Sequence, residues 1–158
     1  MKTREIIDLF LNEKKLAIAG VSHNPKQFGH VLYKTVREKG YSAIPINPKG
    51  GEIDGVKVLQ SVSELGSDIQ NLLIVTNKKD TNKVFSEALA KGIPNIWIQN
   101  GCESEDTMKI AADVPVNLVT KQCFFMYAEP AGIHKFHQRI ACWFGGYLKP
   151  TGEVKIAK

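Results

Sequence analysis

LAIAGVSHNPKQFG, residues 16–29, constrains the fold more than any other stretch of this chain. Leu16, Ala17, Ile18 and Ala19 are a continuous apolar run without polar alternation, the pattern of a strand buried on both faces. Gly20 ends it. From Phe28 the apolar positions fall at Phe28, Val31, Leu32 and Val36, a helical stripe. Strand, tight turn and helix in that order aim unpaired backbone N–H groups, and the positive end of a helix dipole, at one point. That point suits an anion such as the phosphates of a nucleotide. Gly20 keeps a side chain away from the spot where backbone and diphosphate would meet, so Gly20→Val is expected to lose binding while the fold survives with reduced stability.

The rest of the chain repeats this unit. A leading helix over residues 4–12, within a 1–15 leader, turns Ile6, Ile7, Phe10 and Leu11 to one side. The first strand (about 16–20) and helix (about 28–39) are followed by a second strand, Tyr41–Ile46, and the turn Asn47-Pro48-Lys49-Gly50-Gly51. Asp54-Gly55 between two β-prone pieces predicts a hairpin. Ser61 and Glu64 have capping-box spacing for a one-turn helix. Leu72–Val75, Asn95–Ile98 and Val116–Val119 are the third to fifth strands, separated by helices of about 80–91 and 103–112. A C-terminal extension, 121–158, reads as helical over about 131–148 through Ile133, Phe136, Ile140, Trp143 and Phe144.

Strands alternating with helices predict an α/β fold: one doubly wound, Rossmann-like parallel sheet of five main strands with flanking helices, in a single domain over 1–158. The expected strand order is 3-2-1-4-5, with the switch point between strands 1 and 4. Ligands in such sheets bind at the carboxyl ends of the strands. The loops there are Gly20–Lys26, Asn47–Lys49, Thr76–Lys78 and Gln99–Gly101, and all four are expected to meet at one crevice.

Length and charge narrow the function. A chain of 158 residues buries roughly 70% of its unfolded surface. No apolar run reaches the roughly 20 residues of a membrane span. The N-terminus carries acidic residues and no small-residue cleavage site, unlike a signal or transit peptide. Three cysteines without a disulfide framework point to a reducing, cytoplasmic setting. The net charge of +5 favours an anionic partner, but it is spread rather than clustered, which fits a phosphorylated small molecule better than nucleic acid.

The loop chemistry separates candidate ligands. The NAD fingerprint G-x-G-x-x-G, with a carboxylate at the end of strand 2, is not met. Ser22 stands where the second glycine would, and Asn47, Pro48 and Lys49 occupy the strand-2 end. An asparagine and a lysine there offer donors to a phosphate on the adenosine ribose. NADP and coenzyme A both carry one. Ser22 and Asn24 are either turn formers or phosphate contacts, and Lys26 and Lys49 either solvated lysines or ligand contacts. Pro25 stiffens the turn. Gln99, Asn100 and Gly101 are either a helix entry, with Asn100 as cap, or part of the ligand lining.

With these pieces in place, the chain resembles the small stand-alone CoA-binding domain proteins, which are similar to the CoA-binding domain of the succinyl-CoA synthetase α subunit. The matching segments are GVSHNPKQFG (20–29), GYSAIPINPK (40–49), EIDGVKV (52–58), IWIQNG (96–101), QCFFM (122–126) and GIHKFH (132–137). The resemblance implies CoA or an acyl-CoA bound across the strand ends by Gly20, Val21, Ser22, Asn24, Lys26, Phe28 and Gly29 at the phosphates, and by Asn47, Pro48 and Lys49 at the nucleotide end. Where the common pattern has a proline after the third strand, this chain has Thr76-Asn77, a departure beside the same crevice. The synthetase's phosphorylated histidine lies in a second domain that these segments do not match, so the resemblance implies a binding module rather than a ligase. The alternative is an NADP-dependent oxidoreductase. A homo-oligomer or a partner protein stays open.

Cys123, His134, His137 and Cys142 form the rival feature, with ligand types suited to zinc. Cys142 follows His137 by five residues, which sets the two about 140° apart around a helix, so the expectation is a metal-free set. Cys123, among apolar neighbours, is expected to be a packed thiol rather than a nucleophile, and Trp97 and Trp143 to be core residues.

Overall fold

The strands run through the middle of the molecule as uninterrupted apolar segments because both faces of the sheet are covered. In β1 (Lys15–Ala19), Leu16 and Ile18 face one side while Ala17 and Ala19 face the other, and all four are buried. The computed structural model describes residues 3–128 and the backbone of 153–155. Its elements are α1 (Thr3–Asn12), β1, α2 (Phe28–Glu38), β2 (Ser42–Ile46), a hairpin of β3 (Glu52–Ile53) and β4 (Val56–Lys57), a 3-10 turn (Val62–Glu64), β5 (Asn71–Ile74), α3 (Lys78–Lys91), β6 (Asn95–Gln99), α4 (Glu105–Ala112), β7 (Asn117–Gln122), α5 (Phe125–Ala128) and β8 (Glu153–Lys155).

Five parallel strands flanked by helices make this a Rossmann-like α/β domain, as the alternation of elements predicts. The strand order is β2-β1-β5-β6-β7-β8, with β8 antiparallel to β7. This corrects the expected order 3-2-1-4-5. The third main strand, β5, lies on the free side of β1 instead of beyond β2, so the switch point falls between β1 and β5. Residues 47–70, which join β2 to β5, form the hairpin and 3-10 turn, not a full crossover helix. The Asp54-Gly55 turn forms as expected, with Asp54 at φ 49° and Gly55 at φ 76°. The capping box does not: the Glu64 carboxylate accepts from the Gln60 N–H (2.9 Å), and the Ser61 hydroxyl pairs with that of Ser63. In the extension expected to be helical, Glu153–Lys155 is a strand; the 131–148 helix lies outside the described residues.

The helices divide between the two faces. Ile6, Ile7 and Phe10 of α1 and Leu32, Tyr33 and Val36 of α2 cover the Leu16/Ile18 side, joined by Trp97, Phe124 and Phe125. Phe85 and Ala88 of α3 and Ala111 of α4 cover the Ala17/Ala19 side. Trp97 is fully buried as expected, edge-on to Phe10 (5.5 Å) and Phe124 (5.4 Å). Each such ring pair contributes about 0.5–1.5 kcal/mol beyond the area it buries. Since α2 follows β1 on one face and α3 follows β5 on the other, their N-termini diverge and leave a crevice between them.

The opposite end of the sheet is closed by a ladder of amides. Asn71, Asn95 and Asn117, the first residues of β5, β6 and β7, stand in register. Asn117 Nδ2 donates to Asn95 Oδ1 (2.9 Å), Asn95 Nδ2 to Asn71 Oδ1 (2.9 Å), and Asn71 Nδ2 to the Phe10 carbonyl (2.8 Å). The sheet's lower edge is thereby tied to the last turn of α1.

Candidate functional site

The crevice is a cavity of about 390 Å³ at the carboxyl ends of β1, β2 and β5. Gly20, Asn47, Pro48, Thr76 and Asn77 line it, so three of the four expected loops meet. Gln99, Asn100 and Gly101 are not among the lining residues, and the strand order explains why. In the expected order the fourth strand would stand next to the first; in the structure β5 takes that place and β6 is one strand farther out. Gln99 is buried, its Nε2 directed to Cys123 Sγ (3.2 Å) and its Oε1 accepting from the Phe124 N–H (3.1 Å). Asn100 does not cap α4; Ser104 does, accepting from Thr107 N–H at 3.1 Å. Gly101 N–H donates to Glu103 Oε2 (2.8 Å).

The first loop is held by its own short side chains. Ser22 Oγ accepts from Asn24 N–H and Asn24 Oδ1 from Lys26 N–H, each at 3.0 Å, so both residues act as turn formers. His30 Nδ1 lies 2.8 Å from the Ser22 carbonyl and braces the loop from α2. Val21 is buried, and its carbonyl accepts from Asn47 Nδ2 (2.9 Å); Asn47 Oδ1 accepts from Lys49 N–H (2.9 Å). Asn47 thus clamps the β1 and β2 loops together. Phe28 turns inward, edge-on to Phe125 at 6.2 Å. Lys26 and Lys49 are exposed.

Two glycines allow the loop to lie this close. Gly20 has φ +98°, and a Cβ there would come within 2.8 Å of the Val75 carbonyl group and 2.9 Å of Thr76 N. A Cβ on Gly29 would come within 2.1 Å of Gly20 O. The obstruction at Gly20 is therefore the protein's own backbone, so the reduced stability expected of Gly20→Val has a cause independent of any ligand.

Helix α2 starts differently from its neighbours. Asn77 caps α3 by accepting from Asp80 N–H (3.0 Å) and Ser104 caps α4, but Gln27, at the N-cap of α2, makes no side-chain capping bond. Gln27 lines the cavity, so the uncapped N-terminus of α2, with its partial positive charge, borders it.

Sequence reasoning missed the far wall. Gln60 and Ser61 precede the 3-10 turn, and Asp80, Lys83, Val84 and Glu87 of α3 complete the lining. Their signal was available: Asp80, Lys83/Val84 and Glu87 follow i, i+3/i+4, i+7 spacing on a helix that begins two residues after Thr76. Thiol chemistry is disfavoured at Cys102, which burial, with Glu103 beside it, pushes up to about 12 against the smaller opposing effect of Lys78. Cys123 is buried; His134, His137, Cys142 and Trp143 lie outside the described residues. No helix among the described residues is long and apolar enough to cross a membrane.

The chain matches the family described as "CoA binding domain" over residues 14–129. It is 26% identical over 119 residues to the uncharacterized protein YneT of Bacillus subtilis, covering 75% of this chain and 88% of that one. It is 31% identical over 94 residues to the acetate–CoA ligase (ADP-forming) II α subunit of Pyrococcus furiosus, covering 59% of this chain but only 21% of the ligase subunit. A solved structure of a conserved hypothetical protein from Pyrococcus furiosus superimposes with a TM-score of 0.68 at 32% identity, covering 71% of this chain and 97% of that one.

Proposed function

Since this chain belongs to the CoA binding domain family, we propose that it binds coenzyme A or an acyl-CoA in the crevice between β1 and β5, as a binding module to which we assign no catalytic group. The observation that carries this reading is the junction of the cavity with the uncapped N-terminus of α2. A diphosphate there would meet the positive end of the α2 dipole, at an N-cap where Gln27 makes no side-chain capping bond. Gly20 and Gly29 bring the backbone close enough to serve it, while Ser22 and Asn24 hold the loop open by satisfying their own turn.

The nucleotide end would lie toward Asn47-Pro48-Lys49. No carboxylate stands at the end of β2 to receive an unmodified ribose, and exposed Lys49 can reach a ribose phosphate as a mobile point charge. Lys26, also exposed, adds positive charge beside the phosphate loop. In this reading Asn47 acts mainly as the clamp that sets the distance between the two loops. The ligase likeness covers about a fifth of that subunit, so it supports a shared ligand without a shared reaction.

Calorimetric titration of the full chain with CoA, dephospho-CoA, NADP and NAD tests the reading. CoA should bind, and more tightly than dephospho-CoA by about ten- to a hundred-fold, the range for one charge-assisted contact. Equal affinities for CoA and dephospho-CoA would remove Lys49 from the site. Preference for NADP over CoA would favour an oxidoreductase instead.

A further inference from the structure

We propose that the α3 wall of the cavity selects the purine base of the ligand through its exocyclic amine, with the Thr76 hydroxyl as the determining acceptor; this rests on the CoA reading above. Thr81 Oγ1 lies 3.0 Å from the Asn77 carbonyl and 2.8 Å from Thr76 Oγ1. A carbonyl only accepts, and a threonine hydroxyl has one proton. With both bonds made, fully buried Thr81 gives its proton to the Asn77 carbonyl, which also accepts from the Asp80 and Thr81 N–H groups, and Thr76 gives its own to Thr81. The outward side of Thr76 Oγ1 then offers only lone pairs, and Thr76 lines the cavity.

The neighbouring groups on this wall have the same polarity. Asp80 lines the cavity, and the Asn77 amide beside it is turned to Asp80, accepting from its N–H and donating to its Oδ2. Glu87, two turns along the same face of α3, accepts from Val62 N–H (3.3 Å) and lies 4.0 Å from Lys83 Nζ, the only cation among the described lining residues. Two carboxylates and an outward-accepting hydroxyl disfavour a phosphate on this side and favour a group that donates. Ile46, Val62, Val75 and Val84 also line the cavity and give it apolar surface suited to a heteroaromatic ring. An adenine satisfies both demands, with an apolar ring and an amino donor. A hypoxanthine, which presents a carbonyl where adenine has the amine, would set acceptor against acceptor.

The test compares CoA with its deaminated analogue, in which hypoxanthine replaces adenine, by calorimetric titration of the wild-type full chain, Thr76→Val and Thr76→Ser. Wild type should prefer CoA by about tenfold or more, because an unmatched polar group costs more than a made bond returns. Thr76→Val, close in shape, should lower that preference by about three- to tenfold, and Thr76→Ser should restore it. Equal binding of the two ligands by wild type would overturn the inference and leave CoA binding intact. Discrimination unchanged in Thr76→Val would overturn the role of Thr76. Binding of neither ligand would overturn the CoA reading and this inference together.

Discussion

At the end of the sheet where β5, β6 and β7 begin, Asn71, Asn95 and Asn117 spend their amides on one another and on the α1 backbone, whereas at the opposite end the polar groups surround a cavity. Short amides serve both ends. Below, they form a hydrogen-bonded chain that ends on the Phe10 carbonyl. Above, Asn47 holds two loops together and Asn77 caps α3, while Gln27 makes no capping bond at the start of α2, which borders the cavity. The difference separates what holds the fold from what can bind: the same residue type closes one edge and props the other open.

The largest effect should come from the glycines that join the two roles. Gly29→Ala would put a Cβ 2.1 Å from Gly20 O, and Gly20→Val would drive its side chain into the Val75–Thr76 backbone. Each should cost about 3 kcal/mol or more in denaturant unfolding, and binding with it. A Gly29→Ala protein as stable as wild type would break the account of how the loop is seated.

Asn95→Leu should come next and should affect the lower end alone. It removes the partner of Asn71 Oδ1 and breaks the bond from Asn117 Nδ2, at a cost of roughly 1–3 kcal/mol. CoA affinity, measured below the melting transition, should stay within about twofold of wild type. A large loss of affinity in a folded Asn95→Leu protein would dissolve the distinction between the two ends.

The smallest effect is electrostatic. Asp68 pairs with Lys15 at the start of β1, and that hydrogen bond holds its carboxyl below the ordinary carboxylate range. A depressed folded pKa gives stability that is present above the unfolded pKa and lost as pH falls through the folded one. Asp68→Asn should therefore lower the melting temperature by on the order of 1 °C or less at neutral pH, with the difference vanishing in acid and in high salt. A difference that persists in acid would assign the effect to packing rather than charge.

Most of the elements were legible because their causes are local. Apolar runs such as Leu72–Ile74 and Ile96–Ile98 can be read in one dimension, whereas the caps expected at Ser61 and Asn100 depend on the folded turn. The strand order could not be read that way, since right-handed crossovers allow the third strand to lie on either side of the first. The available hint was that residues 47–70 contain a Gly-Gly turn, a hairpin and a single short turn, with no amphipathic helix to carry a crossover. Misplacing that strand brought Gln99–Gly101 to the crevice and hid the α3 wall. Ser22 and Asn24 were recognised as loop residues, but which backbone groups they bond depends on the folded turn. The amide ladder had a one-dimensional signature, an asparagine opening three successive strands, whose meaning appears only once the strands are aligned in register.

The most direct test of the central claim is the change in backbone amide chemical shifts when CoA is added to the isotopically labelled full chain. The account predicts that the largest changes fall on Gly20–Gly29, Asn47–Lys49 and Thr76–Asp80, with Asn71, Asn95 and Asn117 unmoved. Changes centred on the amide ladder, or none at saturating CoA, would contradict it.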